Sequence, residues 1–198
     1  MQTHSVISRI INFGMFIVLA NSLLFPVNSP KDVLEHFCEL DANGAQIDEG
    51  RRSELAGLFT QSAASAPEDA IVIKDFVILG STKVAGEIDF EVEYIYLGRL
   101  NVATARYSRL PATYPPGPVK VRVHYQLVPN MGGPKNNLKS EGSAHPEPAE
   151  WRIKGTPPIP HITVQAALQY VTRLRNNSSS ATIKNNGAHA IVALNRLQ

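Results

Sequence analysis

Cysteine is almost absent from this chain, since Cys38 is the only one in 198 residues. A single cysteine excludes an intramolecular disulfide, so the domain is predicted to be disulfide-free. Cys38 lies at helical spacing from Val33, Leu34 and Phe37, which places it on the apolar face of a helix. A reactive thiol needs an electropositive, partly exposed setting, and the sequence around Cys38 offers none. The pattern predicts a small buried hydrophobe rather than a catalytic cysteine.

The familiar signatures of catalytic and cofactor sites are also missing. The chain contains no glycine-rich phosphate loop, no Cys-x-x-Cys, no His-Glu-x-x-His and no Gly-x-Ser-x-Gly. Three carboxylates alternate along one segment, at Asp89, Glu91 and Glu93, but metal ligands must converge on a point rather than stand in a row. We therefore predict neither a metal nor a cofactor, and no catalytic residue follows from a motif.

Charge of one sign is not concentrated anywhere in the chain. There are 19 basic and 17 acidic residues, a net charge of +2, and the basic residues are scattered singly. A nucleic-acid-binding protein would group them on one surface, so no nucleic-acid partner is predicted. Once a leader is set aside, about 170 residues remain, enough for one domain with a substantial core.

Charged side chains are absent between Arg9 and Lys31, and residues 10–20 form the most apolar stretch of the protein. Small residues at Ala20 and Ser22 follow it, as in a secretory signal cleaved after Ser22. Residues 10–27 come close to the roughly 20 apolar residues that span a bilayer, so an uncleaved anchor is the alternative. A buried helix of a cytoplasmic protein is a third interpretation, although such a helix usually has a polar face.

We accordingly interpret residues 1–29 as a signal peptide or N-terminal membrane anchor. The protein is predicted to be exported, periplasmic or secreted, or else tethered by the uncleaved segment. Contact with the membrane is expected only through this segment.

Two helices are predicted next. Ser29 provides an N-cap, Pro30 suits the first turn, and Asp32 complements the positive helix end. This helix is expected to run to about residue 41, where Asn43-Gly44 supplies a left-handed stop. A shorter helix is expected from about Arg51.

From residue 70 the pattern alternates, which predicts strands over residues 70–79 and 87–97 and over residues 119–128. The second strand has an acidic polar face and the third a basic one. Opposite charges favour pairing, either directly or through a short strand near residues 103–107. The apolar face of the second strand is predicted to be buried and consists of Ile88, Phe90, Val92, Tyr94 and Tyr96.

The remaining segments are predicted as loops, a closing strand and C-terminal helices. Residues 111–118 and 130–150 are rich in loop-forming residues, and residues 150–154 form a short strand. Thr163 is expected to cap a helix, and a weaker helix over residues 183–197 is expected to be interrupted at Gly187. Residues 156–198 are thus predicted to be a C-terminal helical extension.

The predicted fold class is α+β, with two N-terminal helices packed on a curved, mostly antiparallel sheet. Three segments occur in the expected order, namely VLEHF at 33–37, FEVEY at 90–94 and WRI at 151–153. On these segments and the order of its elements, the chain resembles the NTF2-like (SnoaL-like) superfamily in topology over about residues 30–155. The resemblance implies a cone-shaped domain in which a curved sheet wraps helices around a pocket.

The resemblance also implies that the pocket is lined from the apolar face of the sheet. The weak ligand-binding candidates are then Asp75, Tyr94, Tyr96, Tyr125 and Trp151. A tyrosine and an aspartate in a desolvated pocket would be able to polarise a carbonyl and move a proton. Alternatively, the tyrosines simply pack with their hydroxyls at the rim.

His36 is predicted to lie at the surface of the first helix rather than to act as a ligand. His161, just ahead of the helix capped by Thr163, is a further weak candidate for the site, and the prolines at positions 157, 158 and 160 before it indicate a rigid structural turn.

Three functions are consistent with these patterns. The first is an exported domain that binds a small apolar ligand or an envelope protein partner. The second is a small-molecule isomerase or cyclase that uses a Tyr/Asp pocket. The third is a structural module whose charged strand face and residues 131–145 contact other proteins.

Overall fold

The computed structural model describes residues 29–62, 65–110, 119–130 and 150–198. Residues 1–28 of the predicted leader lie outside the described residues, as do residues 111–118 and 131–149, which make up most of the two predicted loops. In chain order the elements are α1 (Pro30–Ala42), α2 (Arg52–Ala56), β1 (Asp69–Val84), β2 (Glu87–Asn101), β3 (Arg106–Arg109), β4 (Val119–Asn130), β5 (Glu150–Ile153), β6 (His161–Thr163), α3 (Val164–Asn177) and α4 (Ala181–Asn195).

The α+β prediction is confirmed, since helices pack on a curled, mostly antiparallel sheet. Strand order is β5-β4-β2-β1-β6, and β3 pairs with β2 beyond the end of β4. Only the β1–β6 pair is parallel among these strands. The central strand β2 thus contacts β1 along one side, and β4 followed by β3 along the other.

Helix α1 begins where its capping residues predict. Ser29 and Asp32 exchange hydrogen bonds, with distances of 3.2 Å from Asp32 N to Ser29 Oγ and 3.1 Å from Ser29 N to Asp32 Oδ2. This capping box satisfies two of the free amides at the helix start. After the C-cap at Asn43, Gly44 adopts a φ of +81°, a conformation that glycine accepts without a steric penalty. The predicted stop is confirmed.

Strands β2 and β4 pair directly, as their opposite charges predict. Phe90 lies opposite Tyr125, so the apolar residues of both strands share the face that α1 covers. On the other face, Lys120 Nζ lies 2.7 Å from Glu93 Oε1, and Arg122 Nη1 lies 3.2 Å from Glu91 Oε1. The charged face is therefore a ladder of cross-strand ion pairs.

Strand β1 runs further than its pattern indicates. We expected it to end at Gly80, but it continues to Val84 and turns into β2 through Ala85 and Gly86. Both turn residues have positive φ, +50° and +88°. Pairing with β2 sustains the strand past Gly80, because backbone hydrogen bonds to a neighbouring strand override a weak local preference.

Two apolar clusters lie on opposite faces of the sheet. One packs under α1 and includes Phe37, Cys38 and Tyr94. The other joins α3 and α4 to alternate residues of the sheet, Val72 and Leu100 among them. The C-terminal helices thus share a core with the strands.

The predicted interruption of the last helix is wrong. Helix α4 passes through Gly187 without a break. A Cβ at this position would lie 3.0 Å from Arg175 Cβ, so glycine allows α3 and α4 to approach closely. The glycine marks a packing contact rather than a helix end.

Candidate functional site

Two of the predicted tyrosines are enclosed in the core. Tyr94 and Tyr125 are both buried beneath α1, and their hydroxyl oxygens lie 2.9 Å apart, within hydrogen-bond distance. Cys38 Sγ lies 3.5 Å from the Tyr94 hydroxyl. The apolar face from which a pocket was expected is therefore filled by side chains from α1.

Tyr96 is half-buried and contacts a histidine from the far end of the chain. Its hydroxyl lies 2.8 Å from His161 Nε2, and the His161 ring stacks on Tyr94 with centroids 4.1 Å apart. The interpretation of His161 as a turn residue is corrected, since it lies in β6 and its side chain is buried.

A buried carboxylate completes this group. Asp41 Oδ2 accepts a hydrogen bond from His161 N at 2.9 Å, and Asp41 Oδ1 accepts one from Gln46 Nε2 at 2.8 Å. His161 Nδ1 lies 3.6 Å from Asp41 Oδ2 and has no hydrogen-bond partner among the described residues. Asp41, His161 and Tyr96 therefore form a polar row, which we call the buried row because its first two members are buried and Tyr96 is half-buried.

Burial governs the ionisation of this region. Loss of hydration raises the pKa of Asp41, while its hydrogen bonds from His161 and Gln46 oppose that rise. Loss of hydration likewise raises the pKa of Cys38 to about 12. The pKa values of Tyr94 and Tyr125 are raised by the same cause. Neutral thiol and phenol groups are thus favoured in this part of the core.

The other two predicted ligand-binding residues, Asp75 and Trp151, lie apart from the hydrogen bonds that the tyrosines form. Asp75 is exposed at an irregularity of β1, and its Oδ1 accepts a hydrogen bond from Phe76 N at 2.8 Å. It does not form the predicted Tyr/Asp pair, and Asp41 is the acidic group of this region instead. Trp151 is half-buried on the edge strand β5, opposite Pro129.

The sequence did contain a signal for Asp41. Positions 34, 37, 38 and 41 follow the spacing of one helix face, and the first three are apolar. A carboxylate on such a face is a candidate for a buried, hydrogen-bonded group. Its hydrogen-bond partner His161, 120 residues away in the sequence, has no such local signal.

A cavity of about 690 Å³ opens elsewhere, between α2 and the segments 61–62, 65–69 and 156–160. We call it the proline cleft. Its apolar lining includes Leu55, Phe59, Pro67, Pro157, Ile159 and Pro160. Polar side chains form about half of the lining residues, and four of them are charged, namely Arg52, Glu68, Asp69 and Arg99.

Backbone hydrogen bonds hold two walls of the proline cleft together. Thr60 N donates to Ile153 O at 2.9 Å, and Gln61 N donates to Gly155 O at 3.0 Å. Ile71 N donates to Pro160 O at 2.7 Å. Because proline also restricts its own φ, the wall formed by residues 157–160 is preorganised.

The proline cleft and the buried row share a boundary. Gln46 borders the cleft and donates to Asp41. Pro160 borders the cleft and precedes His161. The proline cleft is lined by residues other than Tyr94, Tyr96 and Tyr125.

Comparison with known protein families, with curated proteins and with solved structures finds no match for this chain. In the part of the chain that the structure describes, no helix is long and apolar enough to cross a bilayer. The same residues contain no group of three or more His, Cys, Asp or Glu side chains placed to hold a metal ion.

Proposed function

We propose that this protein is a binding domain that takes a small, largely apolar ligand in the proline cleft. The observation that carries the proposal is the cleft itself, a concave space of about 690 Å³ with a proline-rich lining whose exposed surface is mainly apolar. Small-molecule sites in proteins typically enclose about 300–1,000 Å³ and combine apolar walls with a few polar groups.

The location differs from the one that the resemblance implied. Tyr94 and Tyr125 pack against α1, so a ligand on that face would have to displace core side chains. In the proline cleft, by contrast, the apolar side chain of Ile159 is 55% exposed. Covering such a surface with a ligand is favourable at about 25 cal/mol per Å² of apolar area.

A neutral fluorescent probe, N-phenyl-1-naphthylamine, tests this site. We expect saturable binding to the full-length protein and at least about tenfold weaker binding to Ile159→Lys, because an ammonium group in an apolar site is costly to desolvate. Val192→Lys is the matched control, since Val192 is 54% exposed on α4 and does not line the cleft. Absence of saturable binding, or equal losses in both variants, would contradict the proposal.

The domain is further proposed to be exported or tethered through residues 1–29, and to be NTF2-like over residues 30–155. The uncharged apolar leader supports export, and the capping box at Ser29 supports a folded domain that begins there. The mass of the mature protein distinguishes cleavage after Ser22 from an intact anchor, and a full-length protein found only in the cytoplasm would refute both. Superposition of an experimental structure on NTF2-like domains tests the family.

A second candidate function, an acid–base enzyme of the isomerase or cyclase kind, is favoured by the row of Asp41, His161 and Tyr96. In this proposal the Tyr96 hydroxyl turns from His161 Nε2 to donate a hydrogen bond to a substrate carbonyl, and the freed Nε2 takes up a proton from the adjacent carbon. The electron pair of that C–H bond passes to the carbonyl oxygen as an enolate, while Asp41 holds His161 through its backbone N–H. Its test is deuterium incorporation from D₂O into a panel of ketones. Tyr96→Phe should lower the rate at least about 100-fold, while Tyr107→Phe should not. No incorporation by the unmodified protein excludes this candidate for that panel.

A further inference from the structure

A second cavity of about 430 Å³ adjoins the proline cleft. Two residues, Asp69 and Arg99, border both spaces. The other residues of this second cavity, which we call the arginine chamber, are Asn101, Thr104, Arg106 and Ser108. A mainly apolar space and a polar one thus lie side by side, with Asp69 and Arg99 at their common border.

Sheet register explains why these side chains meet. Asn101 lies opposite Asp69 on β1 and opposite Arg106 on β3. In the next row of the same face, Arg99 lies opposite Ser108. Residues directly opposite each other in an antiparallel pair project to the same face, so Arg99 and Arg106 belong to one surface.

The charges of the arginine chamber do not cancel. Arg99 Nη2 lies 2.7 Å from Asp69 Oδ2, and Asn101 Nδ2 donates to Asp69 Oδ1 at 3.3 Å. Both carboxylate oxygens of Asp69 are thereby engaged. No ion pair joins Arg106 to any other residue that the structure describes. One guanidinium group therefore borders the chamber without a counterion from these residues.

We infer that the ligand of this protein is an anionic amphiphile. Its apolar body occupies the proline cleft, and its anionic head group lies in the arginine chamber against Arg106, beside Arg99. This inference rests on the proposed ligand-binding function and names the class of ligand. A guanidinium group presents several N–H donors to a carboxylate or phosphate, and such charge-assisted hydrogen bonds are among the strongest that proteins form.

Four ligands with the same dodecyl chain test the inference on the full-length protein, by displacement of the neutral probe below their micelle concentrations. They are dodecanoate, dodecyl phosphate, dodecanol and dodecyltrimethylammonium. We expect at least one of the two anions to bind about tenfold or more tightly than dodecanol, and the cation to bind most weakly. Whichever anion binds more tightly identifies the head group.

Arg106→Gln should abolish this preference, bringing the tighter-binding anion within about twofold of dodecanol, while the affinity for dodecanol stays unchanged. Arg109→Gln is the matched control, because Arg109 is an exposed residue of the same strand and lines neither cavity. It should retain the preference.

The outcomes separate this inference from the proposed function. If dodecanol and the anions bind equally well to the proline cleft, the binding function stands and the anionic head group is refuted. If Arg106→Gln and Arg109→Gln lower anion binding equally, general surface charge explains the preference and the inference fails. If none of the four ligands nor the neutral probe binds, the proposed function itself is wrong.

Discussion

At the scale of single residues, burial decides the chemistry of the polar groups beneath α1. Cys38 was predicted to be a small buried hydrophobe, and the structure confirms its burial. Its pKa is raised to about 12, chiefly because the thiolate would lose its hydration there. The sulfur therefore remains protonated and inaccessible at neutral pH.

We predict that Cys38 reacts very slowly with an aromatic disulfide reagent at about pH 8 in the native protein, and fast once the protein is unfolded in guanidinium chloride. Absorbance of the released thiolate measures both rates. A Val192→Cys variant supplies the control, because its added thiol lies at an exposed position and should react at once in the native state. Native Cys38 reacting as fast as that exposed thiol would show that α1 does not cover it.

At the scale of elements, the contact between β2 and β3 depends on one glycine. A Cβ at Gly98 would overlap the ring of Tyr107, whose hydroxyl donates to Leu97 O at 3.1 Å. Tyr107 thus occupies the space that a side chain at position 98 would need. Since β3 also carries Arg106, this contact helps to place the arginine chamber.

Gly98→Ala should lower the free energy of unfolding by about 1–3 kcal/mol, the usual cost of overpacking a well-packed site. Gly80→Ala is the matched control, because Gly80 also lies in a strand and an added Cβ there meets nothing within 4 Å. Urea denaturation compares the two. A Gly98→Ala, Tyr107→Ala double variant that loses less than the sum of the single variants would locate the clash at this pair; strictly additive losses would argue against it.

At the scale of the whole molecule, Asp41 joins the first helix to the C-terminal part of the chain. Its Oδ2 accepts the hydrogen bond from His161 N, and close by Thr163 Oγ1 donates to Ala42 O at 3.1 Å. Thr163 is also the N-cap of α3. Hydrogen bonds therefore connect the end of α1 to the start of α3 at one place.

Replacing this carboxylate should change how global stability depends on pH. Because burial raises the pKa of Asp41 above its ordinary value of 3.8, the native state binds this proton more tightly than the unfolded state does. The resulting stabilisation is fully present below about pH 3.8 and is lost as the pH rises through the native pKa.

We therefore expect the stability of the natural protein, relative to Asp41→Asn, to fall as the pH rises from about 3 towards 8. Urea unfolding at several pH values measures the difference. Because His161 Nδ1 lies 3.6 Å from the replaced carboxylate, the comparison is repeated in a His161→Gln background, where the remaining titrating groups are common to both proteins. A constant difference would show that the native and unfolded pKa values are equal. An increase with pH would show that the native pKa is lowered instead.

Local patterns predicted most of the secondary structure. The capping box at Ser29, the apolar face of β2 and the cap at Thr163 were all read correctly, because each depends on residues within a few positions of one another. The pairing of β2 with β4 also followed from their charges. Gly80 was predicted to end β1 and Gly187 to interrupt the last helix, but both elements continue through these glycines. Contacts with other elements outweigh the local preference of glycine there.

The candidate sites depend on contacts between distant segments. Sequence alone determined that this is a disulfide-free α+β chain with an uncharged apolar N-terminus and an aromatic sheet face, since composition and periodicity are properties of neighbouring residues. Only the tertiary structure decided that α1 fills that face, that Asp41 meets His161, and that residues 156–160 enclose a cleft with α2. Packing and strand register set those distances, and neither is specified by any local pattern.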